Sequence, residues 1–234
     1  GPFLTDAVYE PANGASAYLQ DSGYLSFAAS SDFDVGTGDF TIECSLYYAE
    51  AVPSGSSYDY IWGFGANATT GLALYVQGGV VKIWNGGSVA AGSTTVKQGE
   101  WTTLSVVRSG STLSVYQNGV RETTATVSSD ITTAGNGGSI GGWINVDSNI
   151  PTAYITDFRF VNGTALRSGA SYTVPTSPLT AVTYTKLLLN MANGQAIDSA
   201  AQNNLTLFGN AKISTGQAKF GNTSMVFDET GDYV

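Results

Sequence analysis

The chain has 234 residues, 42% of them hydrophobic and only 12% charged, with a net charge of −9, no histidine and a single cysteine. This length suits one large sandwich or one domain plus a fragment, with enough apolar residues for a packed core and a surface left to Ser, Thr, Asn, Gln and Gly. Nine thinly spread Lys and Arg exclude counterion-driven nucleic-acid binding and attraction to an anionic membrane, and no apolar run approaches the ~20 residues of a membrane span. The missing histidines remove the commonest general base and transition-metal ligand, and Cys44 alone gives neither an intrachain disulfide nor a thiolate metal site, so divalent cations are the natural charged partner.

The dominant period along the chain is two. Phe40, Ile42, Cys44, Leu46 and Tyr48 alternate with Thr41, Glu43, Ser45 and Tyr47, as in a half-buried strand. Further strands are expected at Tyr60–Phe64, Leu72–Val76, Val80–Trp84, Trp101–Val107, Thr112–Gln117, Val120–Val127, Ser139–Ile144 and Ala153–Val161. Gly78-Gly79 and Asn118-Gly119 separate neighbouring runs and read as hairpin turns, because these residues tolerate positive φ. No segment carries a useful helical stripe; Ala196–Gln202 has room for one turn. Many short strands at regular spacing predict an all-β, two-sheet antiparallel jelly-roll sandwich.

Near Pro175–Pro178 the chain changes character. Three more strand-like pieces follow, Lys186–Met191, Leu205–Phe208 and Ser224–Phe227, in a stretch too short to bury a core alone. There is also an internal repeat: Ser16–Leu25 resembles Ser224–Val234, each a short apolar strand, an Asp/Gly turn and the start of a second strand.

Three motifs carry a family resemblance. Gly36-Thr37-Gly38-Asp39-Phe40-Thr41-Ile42-Glu43 resembles the strand that opens the body of laminin G-like domains. Gly99-Glu100-Trp101 with Leu113–Gly119 resembles their central hairpin, and Tyr154–Phe160 their closing strand. The chain thus resembles the laminin G-like, concanavalin A-like lectin/glucanase group, and Gly163–Pro178 resembles the connector in copies carried by tail or appendage proteins of marine bacteriophages. The resemblance implies a jelly roll that binds glycans or proteins or serves as a structural module, often with calcium. It also divides the chain: residues 1–180 as one complete sandwich, and residues 181–234 as the opening of a second copy or a strand lent to a neighbour. The four Asn-x-Ser/Thr sequons, among them Asn162-Gly163-Thr164, are read as compositional.

Candidate sites are few. A jelly-roll glucanase needs closely spaced carboxylates, E-x-D-x-x-E, on one strand face, and no such string exists. A Ser-His-Asp triad is impossible without histidine, and Cys44 has no base, so no catalytic residue is assigned. Asp32, Asp34 and Asp39 cluster in a glycine-rich loop and, with Asp157 of the closing strand, are the calcium candidates; turn-forming Asp side chains and an Asp157–Arg159 ion pair are the alternatives. Glycan stacking would use Tyr58 and Tyr60, Trp84 beside Asn85, and Trp143 beside Asn145, against the alternative of core or rim packing. Three functions are therefore weighed. They are a structural and adhesion module of a virion appendage, assembling with copies of itself or neighbouring virion proteins at the virion surface or outside the cell; a calcium-assisted module for a host-surface glycan; and a glycosidase.

Overall fold

The computed structural model describes residues 16–20, 23–65, 71–131, 137–143, 148–191, 212–214 and 224–226. In chain order the strands are β1 (Ala17–Leu19), β2 (Leu25–Phe27), β3 (Phe40–Tyr48), β4 (Tyr58–Phe64), β5 (Leu72–Gln77), β6 (Val80–Trp84), β7 (Ser88–Thr95), β8 (Trp101–Ser109), β9 (Thr112–Gln117), β10 (Val120–Thr126), β11 (Gly138–Ile140), β12 (Ala153–Asn162), β13 (Thr185–Leu189), β14 (Lys212–Ser214) and β15 (Ser224–Val226). One sheet has the order β1-β12-β3-β8-β9-β10, with β13 also on β12; the other has the order β2-β11-β4-β5-β6-β7. All pairings between these strands are antiparallel, and β14 pairs with β15. This is the two-sheet jelly-roll sandwich that the period-two pattern predicts.

The core lies between the sheets. Phe27, Phe33, Phe64 and Phe160 pack ring on ring at its centre, with centroids 4.8–5.5 Å apart, a geometry favoured by the ring quadrupoles. Both predicted hairpin turns form: Gly78 and Gly79 have φ of 61° and 81°, and Asn118 and Gly119 have 50° and 79°. Two consecutive positive φ values match the right-handed twist of the flanking strands. At Gly119 a β-carbon would lie 2.4 Å from the Tyr172 carbonyl oxygen, so the turn also needs the bare backbone there.

Two elements differ from expectation. β7 is a strand that its sequence, Ser-Val-Ala-Ala-Gly-Ser-Thr-Thr, does not announce; it is an edge strand, mostly exposed, with little side-chain selection for burial. β11 ends at Ile140 rather than Ile144, because Gly141 turns the backbone at φ 84° and carries Trp143 off the sheet path. β13, which follows the expected division at residue 180, pairs with β12 of the same chain and buries Leu187, Leu188 and Leu189. The expected strand Leu205–Phe208 and helical turn Ala196–Gln202 lie outside the described residues.

Candidate functional site

The acidic residues do not gather. Asp32 accepts from Lys186 Nζ at 2.9 Å, and Asp39 Oδ1 accepts from the Gly110 N–H at 2.8 Å. Asp34 caps a 3₁₀ turn (Ser31–Phe33), and its carbonyl, like that of Asp32, accepts from Asn162 Nδ2. Arg108, fully buried, ties this end of the sandwich together through the carbonyls of Gly36, Gly110 and Val127. Asp157 sits at a bulge in β12 with φ 50°, where its carboxylate accepts from the Leu179 N–H and from Asn190 Nδ2. Burial pushes its pKa up, partly offset by those two bonds and by the Arg159 charge. Among the described residues no three Asp, Glu, Cys or His side chains form a cation site. Asp32 is thus held by a lysine, Asp39 and Asp157 by backbone amides, Asp157 also by an asparagine, and Asp34 by its turn.

Nor does an Asp157–Arg159 ion pair form, because the bulge separates their directions. Arg159 turns to Glu43 and donates through both Nε and Nη2, while Arg167 Nε donates to the other Glu43 oxygen at 2.7 Å. Glu43 and Arg159 lie on the outer face of the seven-stranded sheet, under residues 163–184, which cross it as a strap and bring Arg167 down onto Glu43. Thr41 Oγ1 holds the strap at Thr164 and Leu166, the Tyr116 hydroxyl holds Gly169, and the backbones of Gly119 and Arg121 hold Tyr172 and Ala170. The Arg167 guanidinium stacks 4.4 Å from the Tyr172 ring centroid. Beneath the strap, Glu43 and Asp157 line a cavity of about 20 Å³, large enough for one water and far too small for a sugar ring. Glu100 is exposed and pairs with Lys97. Cys44 is buried as expected, its thiol pushed up by burial and then by the Glu43 charge.

The opposite outer face, that of the six-stranded sheet, is built differently. Leu72, Leu74 and Val76 of β5 and Val81 and Ile83 of β6 join the core, so Ala73, Tyr75, Gln77, Val80, Lys82 and Trp84 point outward. Across the sheet Tyr58 is opposite Gln77, Tyr60 opposite Tyr75, Tyr75 opposite Lys82, and Gly63 and Trp84 are both opposite Ala73. A bulge between Tyr60 and Trp62 restores this phase on β4. Trp143 lies over Gly63, where a β-carbon would come within 2.7 Å of the indole, and donates through Nε1 to the Gly65 carbonyl at 2.9 Å.

The rings touch in sequence. Tyr58–Tyr60, Tyr60–Trp143 and Trp84–Trp143 have centroids 5.3, 5.3 and 6.5 Å apart, and Tyr75 lies 6.1 and 6.2 Å from Tyr58 and Tyr60. Lys82 Nζ donates to Gln77 Oε1 at 2.9 Å within this field, and Asn85 Nδ2 donates to the Gly71 carbonyl. Burial, followed by the neighbouring Tyr58 and Tyr75 hydroxyls, pushes the Tyr60 phenol up, so it remains a neutral donor.

Tyr58, Tyr60, Trp84, Asn85 and Trp143, far apart in sequence, thus converge at one face. Their roles divide. Tyr58, Tyr60 and Trp84 are half-buried, the Trp84 indole nitrogen fully so, whereas Trp143 is 1% exposed and packs over Gly63 beneath its neighbours' rings. Asn145 lies outside the described residues. Tyr75, Gln77 and Lys82 are members that sequence reading missed. The Gly78-Gly79 turn fixes the register that sets Tyr75 opposite Lys82, and was the signal available.

The family model for the concanavalin A-like lectin/glucanases superfamily matches residues 19–168. A structure described as a carbohydrate-binding protein of Bacteroides ovatus superposes with a TM-score of 0.64 at 12% identity, over 82% of this chain and 57% of that one. The binding domain of Paraclostridial Mosquitocidal Protein 1 superposes with a TM-score of 0.50 at 13% identity, over 65% of this chain and 44% of that one. The chain therefore spans well under two thirds of either, and at such identities the likeness is one of fold. A search of curated proteins returns no match. The two-sheet architecture and the family match over residues 19–168 agree: the chain belongs to the concanavalin A-like lectin/glucanases superfamily, in its laminin G-like branch.

Proposed function

We propose that this chain is a non-catalytic carbohydrate-binding module, with its ligand on the outer face of the six-stranded sheet. The observation that carries this reading is the convergence of three part-exposed rings, Tyr58, Tyr60 and Trp84, around the Lys82–Gln77 pair. Sugars present C–H faces that pack on aromatic rings and hydroxyls that need donors and acceptors beside them, and this face offers both. The binding roles named for the neighbouring structures support the same kind of function. The ion-paired Glu43 and its one-water cavity support a chain without glycosidase activity. Glycan-array binding by the intact chain tests the proposal, with Trp84→Ala as the control. Sugar binding that survives unchanged in Trp84→Ala and Tyr60→Ala would sink this location, and turnover of any polysaccharide would sink the non-catalytic part. A chelator arm separates calcium-dependent recognition from recognition by side chains alone.

A second reading, an adhesion and assembly module at a virion surface, is favoured by the internal repeat of Ser16–Leu25 in Ser224–Val234. Both readings place the chain outside the cell, and a virion module can also hold a host glycan. Detection of this polypeptide, within a longer repeat-bearing chain, in purified virions would test it. A secreted chain with a single copy would count against it.

A further inference from the structure

The edge of β12 is filled by two short strands from distant parts of the chain. β1 covers Ala153–Ile155, and β13 covers Phe158–Val161, with Leu187 opposite Phe160 and Leu189 opposite Phe158. Leu187 and Leu189 enter the common core fully buried. By sequence, however, β13 stands ahead of Ser224–Val234, the counterpart of Ser16–Leu25, in the segment that the family resemblance reads as the opening of a second copy or a lent strand.

The chain enters β13 through a tight reversal. The Val182 N–H donates to Thr185 Oγ1 at 2.8 Å, and the Thr185 N–H donates back to the Val182 carbonyl at 3.0 Å. Tyr184 is held at φ 68°, the left-handed region that disfavours a bulky non-glycine residue. Its side chain is 59% exposed and that of Val182 38%, so packing does little to reward the conformation. The residues on either side are anchored. Arg159 Nη1 donates to the Thr180 carbonyl at 2.8 Å, and Asn190 Nδ2 donates to Asp157 and to the Leu179 carbonyl. A strained, exposed hinge thus joins a fixed strap to a strand with three buried leucines.

We propose that the β12 groove is a strand-exchange site whose second occupant is Thr185–Leu189 of another copy of this chain. Straightening residues 181–184 lets two copies trade β13 while each sheet keeps the same register and buried leucines. The strand pairing and buried leucines of the closed form are preserved, the two Val182–Thr185 bonds of the reversal are given up and the strain at Tyr184 is released, the condition under which short hinges favour swapping. This proposal is independent of the carbohydrate reading.

The test is light scattering on the full chain, before and after unfolding and refolding across a range of concentrations. Refolding at high concentration is expected to give a dimer that returns to monomer only slowly on dilution. Tyr184→Gly, which removes the left-handed penalty, should weaken that dimer about tenfold. Deleting Ala181 and Val182, so that the reversal cannot close, should drive the chain to dimer. Refolded wild type and the deletion variant both remaining monomeric would overturn the proposal. A dimer unmoved by Tyr184→Gly would overturn it as well, since its contacts would then lie elsewhere. If the deletion variant fails to fold, the wild-type and Tyr184→Gly comparison still decides.

Discussion

The two outer faces of the sandwich solve one problem in opposite ways. Each sheet turns one face to the core and must finish the other. On the seven-stranded sheet the finish is chain: residues 163–184 lie across the strands, shut Glu43 and Arg159 away from water and set the half-buried Arg167 on Glu43. On the six-stranded sheet the finish is side chain: Tyr58, Tyr60, Tyr75, Trp84 and Trp143 pack against one another, and part of that surface stays open. The first face holds the chemically stronger groups, charged and closely paired, and its cavity takes no more than a water. The second has weaker groups and stays partly open. On the proposed reading, the binding surface is the accessible face and not the one with the stronger polar groups.

The comparison breaks most sharply at Glu43. Glu43→Ala leaves two guanidinium groups without their shared carboxylate, one of them deeply buried, and should cost about 3–5 kcal/mol in urea unfolding. A loss under about 1 kcal/mol would mean that the strap side is far wetter than its burial implies. Next, Gly63→Ala forces a methyl into the Trp143 indole. It should cost about 1–3 kcal/mol and, by lifting that indole, weaken glycan binding also. Trp84→Ala should do the reverse of Glu43→Ala: about a tenfold loss of sugar affinity, or about 1.4 kcal/mol, at a smaller cost in thermal stability. Calorimetric titration together with a melting curve separates the two faces in one pair of variants.

The smallest effect is at the sandwich edge. Glu122 of β10 accepts from the N–H and hydroxyl groups of both Ser93 and Thr94 on β7, joining the two sheets where, among the described residues, neither has a further strand. Its partial burial alone would raise the pKa, but the bonds from Thr94 and Ser93 outweigh it and hold the carboxyl below its ordinary value. A depressed pKa contributes stability that is present above the ordinary carboxylate pKa and lost as pH falls through the lowered one. Glu122→Gln should therefore cost at most about 1 kcal/mol at neutral pH, with the difference from wild type closing in acid. Equal destabilisation at both ends of that pH range would assign the effect to packing.

Much of the fold was legible because burial on one face writes a period of two into a strand. The limits of β3, β6 and β9 follow from apolar alternation and from the turns that end them. β7 was not legible because an exposed edge strand needs only backbone pairing, which any small polar sequence supplies. The site was half legible. Tyr58, Tyr60 and Trp84 stood out as aromatics in polar settings, but alternation within a strand does not say which of two faces meets the core. Asp157 misled for a related reason: a bulge in β12 turned it away from Arg159.

By itself the sequence determined the class of molecule. Its strand period, its two hairpin turns and its missing histidines lead to a β-sandwich without the usual catalytic groups, since these features depend only on neighbours along the chain. Tertiary structure decided everything that depends on distant pairs: that Glu43 belongs to two arginines, that Trp143 is buried while Trp84 is half-buried beside it, and that β13 pairs with β12. Such pairings are fixed by register between strands, and register is set by bulges, turns and competition for the core over the whole chain.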